Sequence, residues 1–360
     1  MDMRKLTAAL LLSLVTFLAV ARDVTVPSPP GDGLDEIRTL INRKIDFYNR
    51  EFPQIRFVHL EGGADWHGDM MALMMLLGAD ADNLDYAHPP SLQADLLAVS
   101  LERLRQLLQR DIISATTFRV GRKSKLDRPY MCAITLNPRT VLRDDREATR
   151  HMLDFSDEAM ARVHPSRYLN PMDHLEFAID HEAHHCLQAY HYGGLPQAND
   201  PMHGEYHAFR SESMADAYAM AMHIRARGSI TPYARNLVHL RALWMFTDTP
   251  NRCTFETVRE LLRYEPSFLS SLTTPALMEL ASHITDRTIG SFDAYLQQRV
   301  AALKAATRLG FDPRLYGVHW RELATRPANP ALVEFLVHRY RFYDAELSSD
   351  RPIPLDAQLK

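Results

Sequence analysis

His181, Glu182 and His185 stand in the run Asp180-His181-Glu182-Ala183-His184-His185, and the four-residue step between the first and last of them brings both imidazoles to one face of a helix. Two imidazoles so placed can bind one Zn²⁺, while Glu182 on the adjoining edge reaches a water held by that ion. The chemistry such a group serves is hydrolysis of an amide. His184 would pair with His181 at a three-residue step, but no glutamate would then occupy the general-base position. It is read instead as a partly exposed polar residue. Cys186 follows a ligand directly yet points about 100° away around the helix, so it is read as core.

The helix that carries these residues has a strong start, with Asn170 as N-cap, Pro171 at the first helical position and Asp173 in the first turn. Apolar residues at Met172, Leu175, Ile179, Ala183, Leu187 and Tyr190 form one buried stripe, and His181 and His185 lie off it. Gly193-Gly194 offer a stop. Downstream, Glu212-Ser213-Met214-Ala215-Asp216 reads as a second helix with two carboxylates on one face. A catalytic zinc site takes three protein ligands and keeps a fourth position open, and two histidines with a glutamate are one standard set. Glu212 completes it. Asp216, one turn on, can accept the other ring N–H of a liganding histidine and fix its tautomer. Met214 between them is read as a buried helix position.

With H-E-x-x-H followed by E-x-x-A-D, the chain resembles the gluzincin group of zinc metallopeptidases, over roughly residues 170 to 227. The resemblance implies that His181, His185 and Glu212 hold one zinc, that Glu182 is the general base and that Asp216 supports a ligand. In zincins a strand before the active-site helix borders the cleft and pairs with extended substrate. Tyr130–Leu136 stands in that place, with an ordinary interior strand as the equal alternative. An oxyanion donor is also required. His207 is the first candidate, with Tyr206, Tyr218 and His223 behind it. His191 competes for the third-ligand role, because it lies six residues after His185 as in the metzincin pattern. That pattern needs a glycine where this chain has Gln188, and a helix running through Tyr190 would carry His191 about 9 Å further along the axis. Glu212 is therefore preferred.

At the N-terminus, Arg4 and Lys5 precede an apolar run from Leu6 to Ala21 that ends in the small-x-small triplet Ala19-Val20-Ala21. This reads as a signal peptide over residues 1–21, with an uncleaved anchor as the alternative, and makes the protein exported, periplasmic or secreted. Asp2, Arg4 and Lys5 contribute +1 to the chain's net charge of −4, which leaves the mature part at −5. No basic surface suggests nucleic acid, and the cluster from Arg119 to Arg128 reads as a solvated turn between strands. Cys132, Cys186 and Cys253 allow at most one disulfide and leave one thiol free.

The pattern along the chain predicts an α+β fold with a zincin-like catalytic unit, mixed in its N-terminal half and helical in its C-terminal half, with the cleft between. Helices are expected over 31–49, 70–77 and from Ser91 to Arg110, and strands over 55–60, 112–120 and 130–136. From Thr231 onward the segments are helical, punctuated by Pro250, Pro266, Pro275, Pro313, Pro327 and Pro330, and a Pro-rich linker lies near Val26 to Gly31. The expected divisions are 1–21, a mixed region 22–129, a zinc-binding core 130–230 and a helical lobe 231–360. Together these imply an exported zinc peptidase acting on a peptide or protein substrate, with no membrane span in the mature chain. Two other readings stay open: a non-catalytic zinc-binding or interaction protein on the same scaffold, and a zinc amidase acting on a non-peptide substrate.

Overall fold

A computed structural model describes residues 33–61, 66–77, 102, 104–108, 113–119, 128–139, 144–153, 155–192, 200–244, 252–312 and 318–351. The expected signal peptide, the Pro-rich linker, Ser91, Gly193-Gly194, Pro250 and Pro313 lie outside the described residues. The class is α+β, mostly helical, with one small mixed sheet.

Three strands form that sheet in the order β1-β3-β2, namely β1 (Ile55–Leu60), β2 (Ser114–Arg119) and β3 (Tyr130–Thr135). β1 runs parallel to β3 with Ile55 opposite Tyr130, and β2 runs antiparallel to it with Ser114 opposite Thr135. Alternation along each strand splits the apolar residues between two faces. Ile55, Phe57, Cys132 and Ile134 join the main core, while Leu60, Phe118, Met131 and Ala133 pack in a smaller cluster with Met70, Leu73, Leu104 and Leu108. β3 is thus the central strand, paired on both edges.

Before and between these strands lie α1 (Leu34–Glu51) and α2 (Trp66–Leu77), and residues 104–108 are also helical. Leu34, Ile37, Leu40, Ile41 and Ile45 are the buried side of α1, as their spacing predicts. After the sheet come α3 (Asp145–Met152), α4 (Asp157–Met160) and the long pair α5 (Pro171–Tyr192) and α6 (Pro201–Arg227). The C-terminal part is helical throughout its described length: α7 (Pro232–Leu243), α8 (Phe255–Leu261), α9 (Pro266–Ser271), α10 (Thr274–Ile289), α11 (Phe292–Arg308), α12 (Val318–Ala324) and α13 (Pro330–Leu347). Pro266, Pro275 and Pro330 each sit in the first turn of a helix, where the missing N–H costs nothing.

One apolar cluster runs from Ile37 to Leu347 and joins the halves. The division expected at 129/130 falls inside the β2–β3 hairpin, so the mixed region and the zinc-binding core share one sheet. Among the described residues no helix is long and apolar enough to cross a membrane.

Candidate metal centre

Helix α5 begins as its sequence predicts, with Asn170 Oδ1 accepting the N–H of Asp173 at 3.0 Å. Helix α6 begins on Asp200, whose carboxylate accepts the N–H groups of Met202 and His203, and ends at Gly228 in the left-handed conformation, with φ 65°. The two helices pack side by side, and the face of α5 bearing His181 and His185 meets the face of α6 bearing Ser211, Glu212 and Asp216.

His181 Nε2 and His185 Nε2 are 3.1 Å apart, Glu212 Oε2 is 3.5 Å from the first and Glu212 Oε1 is 3.6 Å from the second. A tetrahedral zinc with bonds near 2.0–2.1 Å has ligand-to-ligand edges of roughly 3.3 Å. The triangle fits such an ion, and these three residues are the group among the described residues that could hold a metal.

The opposite ring nitrogens are already committed. His181 Nδ1 lies 2.8 Å from Asp216 Oδ1, an acceptor. His185 Nδ1 lies 3.1 Å from Ser211 Oγ, whose own hydroxyl donates to Gln188 Oε1 at 2.6 Å and so leaves Ser211 as acceptor. Each imidazole therefore keeps hydrogen on Nδ1 and turns its Nε2 toward the other ring and the Glu212 carboxylate, where a bound cation would take the place of the proton that the metal-free rings hold.

Asp216 is fully buried and held by more than His181. Arg241 Nη2 donates to Oδ1 at 2.9 Å, Arg241 Nε is 2.8 Å from Oδ2, and Thr254 Oγ1 donates to Oδ2. Burial opposes the Asp216 charge, but Arg241, His181 and Thr254 outweigh it and hold the carboxyl far below its usual range. Burial likewise opposes a charged His181, yet its hydrogen bonds to Asp216 and Glu212 push the metal-free imidazole up to about 10. Burial would raise Glu212, and His181, His185 and Arg252 instead bring it down to about 2, so it stands ready as an anionic ligand.

Glu182 stays off the triangle. Burial, the largest effect, pushes its carboxyl up to about 7 against the pull of His181, Arg252 and the backbone N–H of Ala115. A carboxyl poised there exchanges protons readily near neutral pH. Ala115 belongs to β2, the edge strand of the sheet among the described residues, and it lines the cleft. The cleft has a volume of about 600 Å³, and Ser114, Thr116 and Thr117 form one wall, with His174, Phe177 and Gln188 of α5 opposite. The cleft-bordering strand is therefore β2. β3, the strand expected in that role, is the interior alternative, because both its edges are taken by β1 and β2.

His207 is not brought to the site. It lies five residues before Glu212, about 140° around α6, and sits half-buried beside Tyr206 outside the cleft lining. The other oxyanion candidates are spent elsewhere: Tyr206 donates to Gly290 O, Tyr218 pairs with Tyr48, and His223 with Thr231. His184 is buried against Tyr218 of α6, with ring centroids 5.1 Å apart, so it is not the partly exposed residue expected. The reason is the second long helix, which covers that side of α5. His191 is exposed in the last turn of α5, which runs unbroken past Tyr190, and takes no part in the triangle. Met214 is buried, as expected.

Cys186 is buried as expected and also bonded to Cys132, which ties α5 to β3; Cys253 is the free, buried thiol. Of the basic cluster read as a solvated turn, residues 120–127 lie outside the described residues, and Arg128 donates to Asn49 Oδ1 at 3.0 Å and Ile55 O at 2.8 Å. The residues missed from sequence are Ser211, Gln188 as a hydrogen-bond partner, Arg241, Arg252, Thr254 and the pair Lys44–Asp180. Asp180 is fully buried behind His181, with Lys44 Nζ and Tyr48 OH each 2.7 Å away, and this fastens α5 to α1.

No protein-family model, no curated protein and no solved structure matches this chain.

Proposed function

We propose that this chain is an exported zinc-dependent metallopeptidase of the gluzincin type, with His181, His185 and Glu212 as zinc ligands and Glu182 as general base. The observation that carries the reading is the convergence of two Nε2 atoms and one carboxylate, each His fixed from behind, with the Glu182 carboxyl lining the same cleft. Zinc bound there would supply a nucleophilic water at neutral pH and polarise the carbonyl to be attacked. Glu182 takes the proton from the attacking water and returns it to the leaving nitrogen, and the Ala115 N–H holds its carboxylate in place between the two transfers. The edge strand β2 offers backbone groups that align an extended peptide across α5. Asp216, clamped by Arg241 and Thr254, keeps His181 in the tautomer that binds metal. The disulfide between Cys132 and Cys186 supports export, since such bonds persist in oxidising compartments.

The test is a purified mature chain assayed for zinc and for cleavage of an unbiased peptide library, with and without chelator. About one zinc per chain and chelator-sensitive cleavage are expected. Glu182→Gln should keep the zinc and lose roughly a hundredfold or more in turnover. Absence of zinc uptake rejects the metal centre, and full zinc without cleavage of any peptide rejects the peptidase.

A further inference from the structure

Two arginines line the cleft, and among the described residues only Arg241 is held in an ion pair. Arg241 is spent on Asp216 through two of its nitrogens. Arg252 stands above the ring of Trp244, its guanidinium carbon 5.4 Å from the ring centroid, and makes no ion pair among the described residues. Its place over a buried indole holds the charge against the ring's negative face while its N–H fork makes no ion pair among the described residues. Arg252 lines the same cleft as Glu182, Glu212, His181 and His185, so it stands near the reacting centre.

The charge of the cleft depends on the metal. Among the described residues, Glu182 and Glu212 are the carboxylates that line it, with Asp216 behind them. A divalent ion on the triangle, together with Arg241 and Arg252, leaves one positive charge in excess. The loaded cleft therefore attracts an anion, and the cation lining it that forms no ion pair among the described residues is Arg252.

We propose that the cleft selects substrates bearing a carboxylate next to the bond to be cleaved, and that the Arg252 guanidinium is the group that reads it. This rests on the metallopeptidase reading for the identity of the bond, but not for the recognition of the carboxylate. A planar fork facing a carboxylate makes two parallel N–H···O bonds, which an amide of the same shape cannot accept equally. The carboxylate has two sources in a peptide, its free C-terminus or an acidic side chain.

The experiment measures binding calorimetrically on the zinc-loaded Glu182→Gln protein, so that turnover does not interfere. One pair of ligands is an acetylated tripeptide ending in a free acid or in an amide. The other is an amidated pentapeptide with glutamate or glutamine at its centre. The carboxylate member of at least one pair should bind tenfold or more tightly, and the discriminating pair identifies the source. Adding Arg252→Gln should bring that ratio to within twofold of unity, while Arg252→Lys should retain part of it. Equal affinities in both pairs, or a preference that survives Arg252→Gln, would overturn the proposal. Carboxylate preference in a protein that cleaves no peptide would sustain it and reject the peptidase reading, whereas cleavage without preference would do the reverse.

Discussion

Ser211 donates a 2.6 Å hydrogen bond to Gln188 and is thereby committed to accept from His185 Nδ1, 3.1 Å away. The two zinc-ligand candidates are thus oriented unequally, His181 by a buried carboxylate and His185 by a neutral hydroxyl–amide relay. Removing the relay frees His185 to take the other tautomer. Ser211→Ala should weaken zinc binding by about tenfold or more, measured by competition with a chromogenic chelator, and Ser211→Thr should restore most of it. Unchanged affinity in the alanine variant would show that the relay is only packing.

The third ligand is tested by a pair of substitutions. Glu212→Ala removes one corner of the triangle and should lower zinc affinity by roughly a hundredfold. His191→Ala, at an exposed position in the last turn of α5, should leave it within about twofold. The opposite pattern would overturn the ligand set.

The Cys132–Cys186 bond closes a loop spanning 54 residues. By the chain-entropy relation, a cross-link of that length stabilises the fold by about 4 kcal/mol. The double variant Cys132→Ser/Cys186→Ser should lose a large part of this in denaturant unfolding and should bind zinc less tightly, because Cys186 adjoins His185. Identical unfolding midpoints would place the stabilisation elsewhere.

Burial, aided by Arg167, brings the His239 imidazole down to about 3, and burial brings His223 down to about 4. For a base with a depressed native value, the unfolded chain binds the proton first. The stability that each contributes is full above about pH 6.5 and is lost as pH falls toward the native value. Each group should steepen the loss by up to about 1.4 kcal/mol per pH unit between roughly pH 6 and pH 4. Unfolding midpoints of wild type and His239→Gln at pH 7, 6 and 5 check this, the expected difference being a shallower slope in the variant. Parallel slopes would refute it.

Local pattern made much of this molecule legible. The spacing of His181 and His185, the Asn170-Pro171 start and the apolar stripe of α5 are all properties of contiguous residues, and each appears where the pattern puts it. The same holds for α1, for all three strands to within two residues and for the placement of Glu212 and Asp216 against His181. Contacts distant in sequence were not legible. Nothing in one chain says that Thr254 and Arg241 converge on Asp216, or that Lys44 meets Asp180. Strand order is likewise non-local, and this is why the sequence leaves β3 open between a cleft-bordering and an interior strand. His207 failed for a simpler reason: nearness in sequence to Glu212 was weighed without the angle around the helix.

Helix α6 supplies Glu212 from its middle and is buried almost without interruption from Ser211 to Ile224. The partners that hold Asp216, Arg241 on α7 and Thr254 just before α8, both come from beyond residue 230. The metal centre therefore works as a gauge of how well the C-terminal helices are assembled. A fragment ending at 230 would keep all three ligands yet lose the groups that hold His181 in its metal-binding tautomer. Reciprocally, an ion present at a thousand times its dissociation constant would add about 4 kcal/mol to the cohesion of the whole chain, far from where it binds.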